Sequence, residues 1–151
     1  MTKLGKKTLA IAITQLGVEE IPRGSNAGEA VEKYLKSVGL GKGYSWCMAF
    51  IYWATKEASI QLAVPNPLTK TGGVLAMYNK EKDLVVTDPQ PGDIFIMDYG
   101  KGLGHTGIIE KIEKNIIHTI EGNTNDDGSR EGYEVCRKQR KTNTIKAYLR
   151  L

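Results

Sequence analysis

Long apolar runs are missing from this chain of 151 residues, and no stretch is long enough to span a bilayer. Internal repeats, low-complexity tracts and linker-like segments are missing too, which leaves a length suited to one domain with one core. Thiols and imidazoles are scarce: two cysteines, Cys47 and Cys136, and two histidines, His105 and His118. A chain of this size does not need a disulfide staple, and both cysteines are expected as thiols. Charge of one sign is also short, with 21 Lys and Arg against 17 Asp and Glu for a net +4. A mildly basic surface favours an anionic partner without choosing among a wall polymer, a membrane surface and nucleic acid. The basic residues are dispersed, and the aromatic-basic pattern of an RNA- or DNA-reading module is absent.

What is present divides into a helical front and a strand-rich back. "MTKLGKKTLAIAITQLGVEE" loosely mimics a signal peptide, but Thr14 and Gln15 interrupt its apolar stretch and no A-x-A-like site follows. It reads better as an amphipathic helix with Leu9, Ala12, Ile13 and Leu16 on one face and Gly17 at its end. Asn26 and Glu29 form a capping-box-like start for a second helix, which carries Val31, Tyr34, Leu35 and Val38 and stops at Gly39. A third helix is expected from Ser45 as N-cap, with Trp46, Phe50, Trp53 and Ala54 inward, and a short fourth through Val74, Leu75 and Tyr78. Strands follow in "DLVVT", "IFIMDY", "HTGIIEKI", "NIIHTIEGN", "YEVCRK" and "TIKAYL", with "DPQPGD" a turn and "GKGLG" a flexible connection. Helices followed by strands predict an α+β fold with an antiparallel sheet.

A Cys in such a chain is ordinarily a packed core thiol. Cys47 falls in the first turn of the third helix, where unpaired N–H groups and the positive dipole end stabilise a thiolate. A neighbouring imidazole would do more, by forming a thiolate–imidazolium pair. His105 begins a strand after the glycine-rich connection, and His118 lies within "NIIHTIEGN". A third group should orient the ring. Glu121 and Asn123 are two apart and share a strand face with Thr119, whereas His118 points the other way. Chemistry alone does not separate the two histidines; alternation excludes His118 if the Glu121 face is the site.

The stretches "WCMAF", "PGDIFIMD", "GHTGIIEKI" and "IEGNTN" resemble, in that order, the motifs of the CHAP domain family, the cysteine, histidine-dependent amidohydrolases and peptidases. The resemblance implies a papain-like fold with N-terminal helices packed on a C-terminal antiparallel sheet. It also implies a single catalytic domain over residues 1–151 with no separate wall-binding domain. Cys47 matches the nucleophile, His105 the base, Glu121 the residue that orients the imidazole, and Asn123 an accessory polar member. The implied substrate and partner is bacterial peptidoglycan, cut as an N-acetylmuramoyl-L-alanine amidase or a peptide endopeptidase, with no metal or other cofactor. Many members carry Gln directly before the nucleophile, where this chain has Trp46; Trp46 and Tyr44 are read as substrate-facing aromatics. The acidic calcium cluster found ahead of the Cys in some phage members is missing, since "GLGKGY" has no carboxylate.

The other readings concern substrate and delivery. A papain-like sheet also hosts amidohydrolases and proteases acting on non-wall substrates, and a degenerate domain would bind wall peptides without cutting them. Without an evident signal, the protein is expected to be made in the cytoplasm and to act at the wall after release or delivery. An immunity or delivery protein is a compatible partner, and nucleic acid and membrane insertion are not implied. Cys136 is expected to pack in a strand, and Asp93 and Asp98 to serve turns. "CRKQRK" reads as a solvated edge. Residues 123–134 nearly fit a calcium-loop spacing, which a wide turn at Asp127 and Gly128 explains with less.

Overall fold

The computed structural model describes residues 1–124 and 132–151. Among these, four α-helices precede six strands. Helix α1 (Lys3–Thr14) starts where Thr2 Oγ1 accepts the Gly5 N–H at 2.9 Å, and it buries Leu9 and Ala12, with Ile13 and Leu16 packed alongside. Helix α2 (Glu29–Ser37) begins later than the Asn26 capping box predicts. Asn26 sits at φ 51, outside the extended backbone a cap requires, and Gly28 is the N-cap instead. The carboxylate that reaches back belongs to Glu32, whose Oε2 accepts the Gly28 N–H at 2.9 Å. Val31, Tyr34 and Leu35 face the core as their spacing predicts.

Helix α3 (Cys47–Leu62) is capped by Trp46 rather than Ser45, which makes Cys47 its first residue. Phe50, Ile51, Ala54 and Ala58 are fully buried along it. Burial of a Phe or Ile side chain contributes about 1.5–3 kcal/mol, so the start of this helix is firmly anchored. Helix α4 (Val74–Lys80) follows.

The strands are β1 (Val85–Val86), β2 (Ile94–Gly100), β3 (Leu103–Glu113), β4 (Ile116–Thr124), β5 (Glu134–Lys141) and β6 (Ala147–Leu149). They form one antiparallel sheet in the order β1-β6-β2-β3-β4-β5. "DLVVT" supplies only the two paired residues of β1, its first part being a 3-10 turn over Lys82–Leu84. "GKGLG" is not a loose connection. Gly100 pairs with Leu103, so Lys101 and Gly102 form a two-residue hairpin turn at φ 57 and 77. His105 is therefore the third residue of β3 rather than its first.

Both faces of the sheet centre are buried. Ile94, Ile96, Ile108, Ile120, Val135 and Leu149 join the helices in the main core. Phe95, Met97, Ile109 and Ile117 form a second, smaller cluster, with Ile112, Ile145 and Tyr148 packed on it. Met97 lies opposite His105, and Phe95 opposite Gly107, so His105 is mounted on the face of that second cluster. Among the described residues, no helix is long and apolar enough to cross a membrane.

Candidate active site

Cys47 is at the first position of α3, where a backbone N–H has no intrahelical acceptor. Its side chain is 6% exposed, and neither it nor Cys136 is in a disulfide. His105 stands on β3, also nearly buried. Its Nε2 lies 2.7 Å from Glu121 Oε1. The Tyr99 ring stacks beside it at 6.5 Å and 14°, and Phe95 lies tilted at 6.1 Å. With Nε2 taken by Glu121, Nδ1 is the ring nitrogen left to face Cys47, the first of the groups that act on the ring against burial. Burial alone would lower the imidazole pKa. The hydrogen bonds to Cys47 and then Glu121, together with their charge, reverse this and raise it to about 9.

Glu121 on β4 is completely buried and fully engaged. Its Oε1 accepts from His105 and from Arg140 Nη2 at 2.6 Å; its Oε2 accepts from Arg140 Nε at 2.9 Å and Thr119 Oγ1 at 2.6 Å. Burial would push this carboxyl up, but the Arg140 hydrogen bonds, and then those to His105, hold it down at about 2. The result is a continuous line from a helix-start thiol through an imidazole to a carboxylate clamped by an arginine.

Three motif glycines make this approach possible. A Cβ on Gly107 would lie 2.7 Å from Glu121 Cγ and 2.8 Å from Ile120 O and Phe95 Cε1. A Cβ on Gly122 would lie 2.8 Å from Trp46 Cζ3 and 3.0 Å from Phe50 Cβ, so Gly122 is what lets β4 close on the start of α3. Gly104 stands in the same way against Val74, at 3.1 Å. Gly107→Ala is expected to cost about 1–3 kcal/mol by overpacking and to depress turnover with it, because Glu121 is one of the atoms that must give way. Thermal melting and a rate measurement on the same sample check this.

The structure thus brings Cys47, His105 and Glu121 together, and it places His118 where alternation predicts. His118 lies away from the site, with Nε2 3.1 Å from Glu113 Oε2. Asn123 departs from the simple two-residue repeat. It has φ 55, and the β4–β5 register shifts between Glu121 and Thr124, so it does not continue the Glu121 face by plain alternation. It is half-buried, and among the described residues no hydrogen bond links it to Cys47, His105 or Glu121. Trp46 corrects the expectation of a substrate-facing aromatic: it is fully buried, and its Nε1 donates to Glu20 Oε2 at 2.8 Å. Tyr44, three residues before Cys47, is exposed. Asp98 serves its turn by accepting the Gly100 N–H, and Asp93 serves its own while also pairing with Arg150. The calcium-like stretch falls largely on residues 125–131, outside the described residues.

Arg140 is the site residue the sequence reading missed, because it belongs to the run expected as a solvated edge. The run is split: Arg137 pairs with Glu110 at the surface, and Arg140 turns inward. The usable signal is alternation on β5. Cys136 lies opposite Glu121, and Lys138 and Arg140 follow on that same face. Thr119 and Tyr99 were also not singled out as site residues.

A helix-start Cys set against a His and a Glu on an antiparallel sheet is the arrangement of the papain-like α+β class. The CHAP domain family model matches residues 39–123, more than half of the chain, and the chain belongs to that family. It is 32% identical over 78 residues to the "Probable endopeptidase p60" of Listeria seeligeri, over 46% of this chain and 13% of that protein. The crystal structure of Ly7917 superposes on 99% of this chain and 62% of its own, with a TM-score of 0.57 and 17% identity, a likeness of fold. The chain therefore spans about an eighth of that Listeria relative and under two thirds of the solved chain.

Proposed function

We propose that this chain is a peptidoglycan hydrolase that cuts an amide bond by acyl transfer through Cys47. The observation that carries the proposal is the buried line Cys47–His105–Glu121, closed by the 2.7 Å contact between His105 Nε2 and Glu121 Oε1. Family membership and the endopeptidase named among its relatives support the wall as substrate. The Cys47 sulfur attacks the amide carbonyl of a stem or bridge peptide, and the Cys47 N–H at the helix start donates to the developing oxyanion. His105 gives its proton to the leaving amine, the C–N bond breaks, and a thioester remains. His105 then takes a proton from water, which attacks the thioester and releases a carboxylic acid and the Cys47 thiolate, restoring the thiolate–imidazolium pair. Glu121 holds the ring and favours its charged form. Tyr44, exposed three residues before Cys47, and Tyr99, exposed and stacked beside His105, are the aromatics that would meet the peptide. The protein would meet this substrate at the wall, after release or delivery.

A muropeptide digest tests the reading. Wild type and Cys47→Ala are incubated with several purified sacculi, and the soluble products are identified by mass spectrometry. Products from wild type alone are expected, and their new termini separate amidase from endopeptidase. A folded wild type with a free thiol that releases nothing from any wall type would end the wall assignment.

A further inference from the structure

The Arg140 side chain does more than neutralise a buried charge. It crosses the sheet surface from a position opposite Ile117, four residue pairs along from Glu121, and ends with two hydrogen bonds on the one carboxylate. It is four-fifths buried on arrival. Glu121 Oε1 is shared between Arg140 Nη2 and His105 Nε2, while Oε2 is shared between Arg140 Nε and Thr119. A carboxylate held at both oxygens by a planar fork cannot rotate about its own axis.

We propose that Arg140 is a positioning residue: its guanidinium fixes the plane in which Glu121 meets His105 and withholds part of the carboxylate's charge from the imidazolium. The inference rests on the hydrolase reading only for its effect on turnover. Its electrostatic half concerns His105 alone. Among the described residues, the titratable and charged groups around this unit are Cys47 from α3, Tyr99 from β2, Glu121 from β4, and Arg140, Lys138 and Cys136 from β5. Of the cations here, Arg140 is the one whose side chain bonds Glu121, the acceptor His105 depends on. A second positive charge there makes the imidazolium less favourable than Glu121 alone would make it. The ring is thereby kept able to give up its proton as well as hold it, which the two proton transfers of thioester chemistry both require.

Two substitutions separate charge from geometry. Arg140→Gln removes both, and Arg140→Lys keeps the charge but loses the fork. His105 is titrated by NMR of its ring protons in substrate-free protein, with His118 as internal reference, and kcat and KM are measured across pH. In Arg140→Gln the His105 midpoint is expected to move up by about one pH unit. The alkaline limb of kcat should follow it, while kcat falls about tenfold or more with little change in KM. In Arg140→Lys the midpoint should stay at the wild-type value while kcat still falls. A purely structural role would lower stability and leave the midpoint where it was. A folded Arg140→Gln whose His105 midpoint is unmoved or lowered overturns the inference. So does an Arg140→Lys enzyme with wild-type kcat, which also decides the matter if Arg140→Gln does not fold. A wild type that cleaves no wall polymer would sink the hydrolase reading yet leave the titration readable. An unmoved titration in an enzyme that does cleave would sink this inference alone.

Discussion

Cys47→Ala is expected to lower turnover by about 10⁴-fold or more while the protein still folds. The nucleophile has no understudy: the other cysteine, Cys136, is across the strand pair from Glu121, on the far side of the carboxylate from the imidazole it would need. The structural cost is small, because a mostly buried Cys packs as a small hydrophobe and Ala removes a single heavy atom from the site. A second consequence identifies the change as local. Cys47 is the first of the groups that raise the His105 pKa against burial, through both a hydrogen bond and its charge, so the ring should titrate well below about 9 in the variant. Melting temperature, product release from sacculi and the His105 NMR titration check the three parts. Turnover at the parental rate would remove Cys47 from the mechanism.

The second large effect is expected from Glu121→Gln, and it falls on stability and pH dependence together. The carboxylate is the shared acceptor of His105, Arg140 and Thr119 in a fully buried position, and an amide offers one acceptor oxygen where there were two. Leaving the Arg140 charge without its counterion should cost about 3–5 kcal/mol. The pH profile of stability should flatten at both ends. In the wild type the Glu121 pKa is about 2 in the fold against an ordinary 4.5, so its contribution is complete above 4.5 and lost as pH falls through 2. The His105 pKa is raised to about 9 from 6.5, so its contribution is complete below 6.5 and lost as pH rises through 9. Denaturant unfolding across this range should show a plateau between those limits in wild type and a lower, flatter curve in the variant. The alkaline limb of turnover should move to lower pH in Glu121→Gln, the direction opposite to that expected for Arg140→Gln.

Legibility in the sequence tracked how local each determinant is. The core faces of α1 and α2, the alternation of β4 and the placement of Cys47 at a helix start depend on residues a few positions apart, and periodicity exposes them. The caps were harder, because Asn26 and Ser45 have the right chemistry and neither holds the cap position. Asn26 takes a positive φ, and Trp46 takes the cap position with no side-chain bond at all. Trp46 carries two expectations: the helix spacing turns it inward, as found, while the substrate-facing reading fails because its indole N–H is bonded in the interior to Glu20, 26 residues earlier, a partner that no local pattern announces. Arg140 was hidden by its neighbours: in a run of basic side chains, only the register of β4 against β5 tells which one turns in. Asn123 shows the limit of alternation, since one residue at positive φ breaks the two-residue repeat at the motif's end.

Glu20 and Arg140 have one further thing in common. The family match runs from residue 39 to residue 123, and both lie outside it. One braces the residue next to the nucleophile, and the other clamps the carboxylate behind the imidazole. The signature stretch is thus not a portable cassette. Grafted alone into another protein, it would bring Cys47, His105 and Glu121 but leave behind the two supports that hold them, so a unit worth transplanting reaches at least from Glu20 through β5.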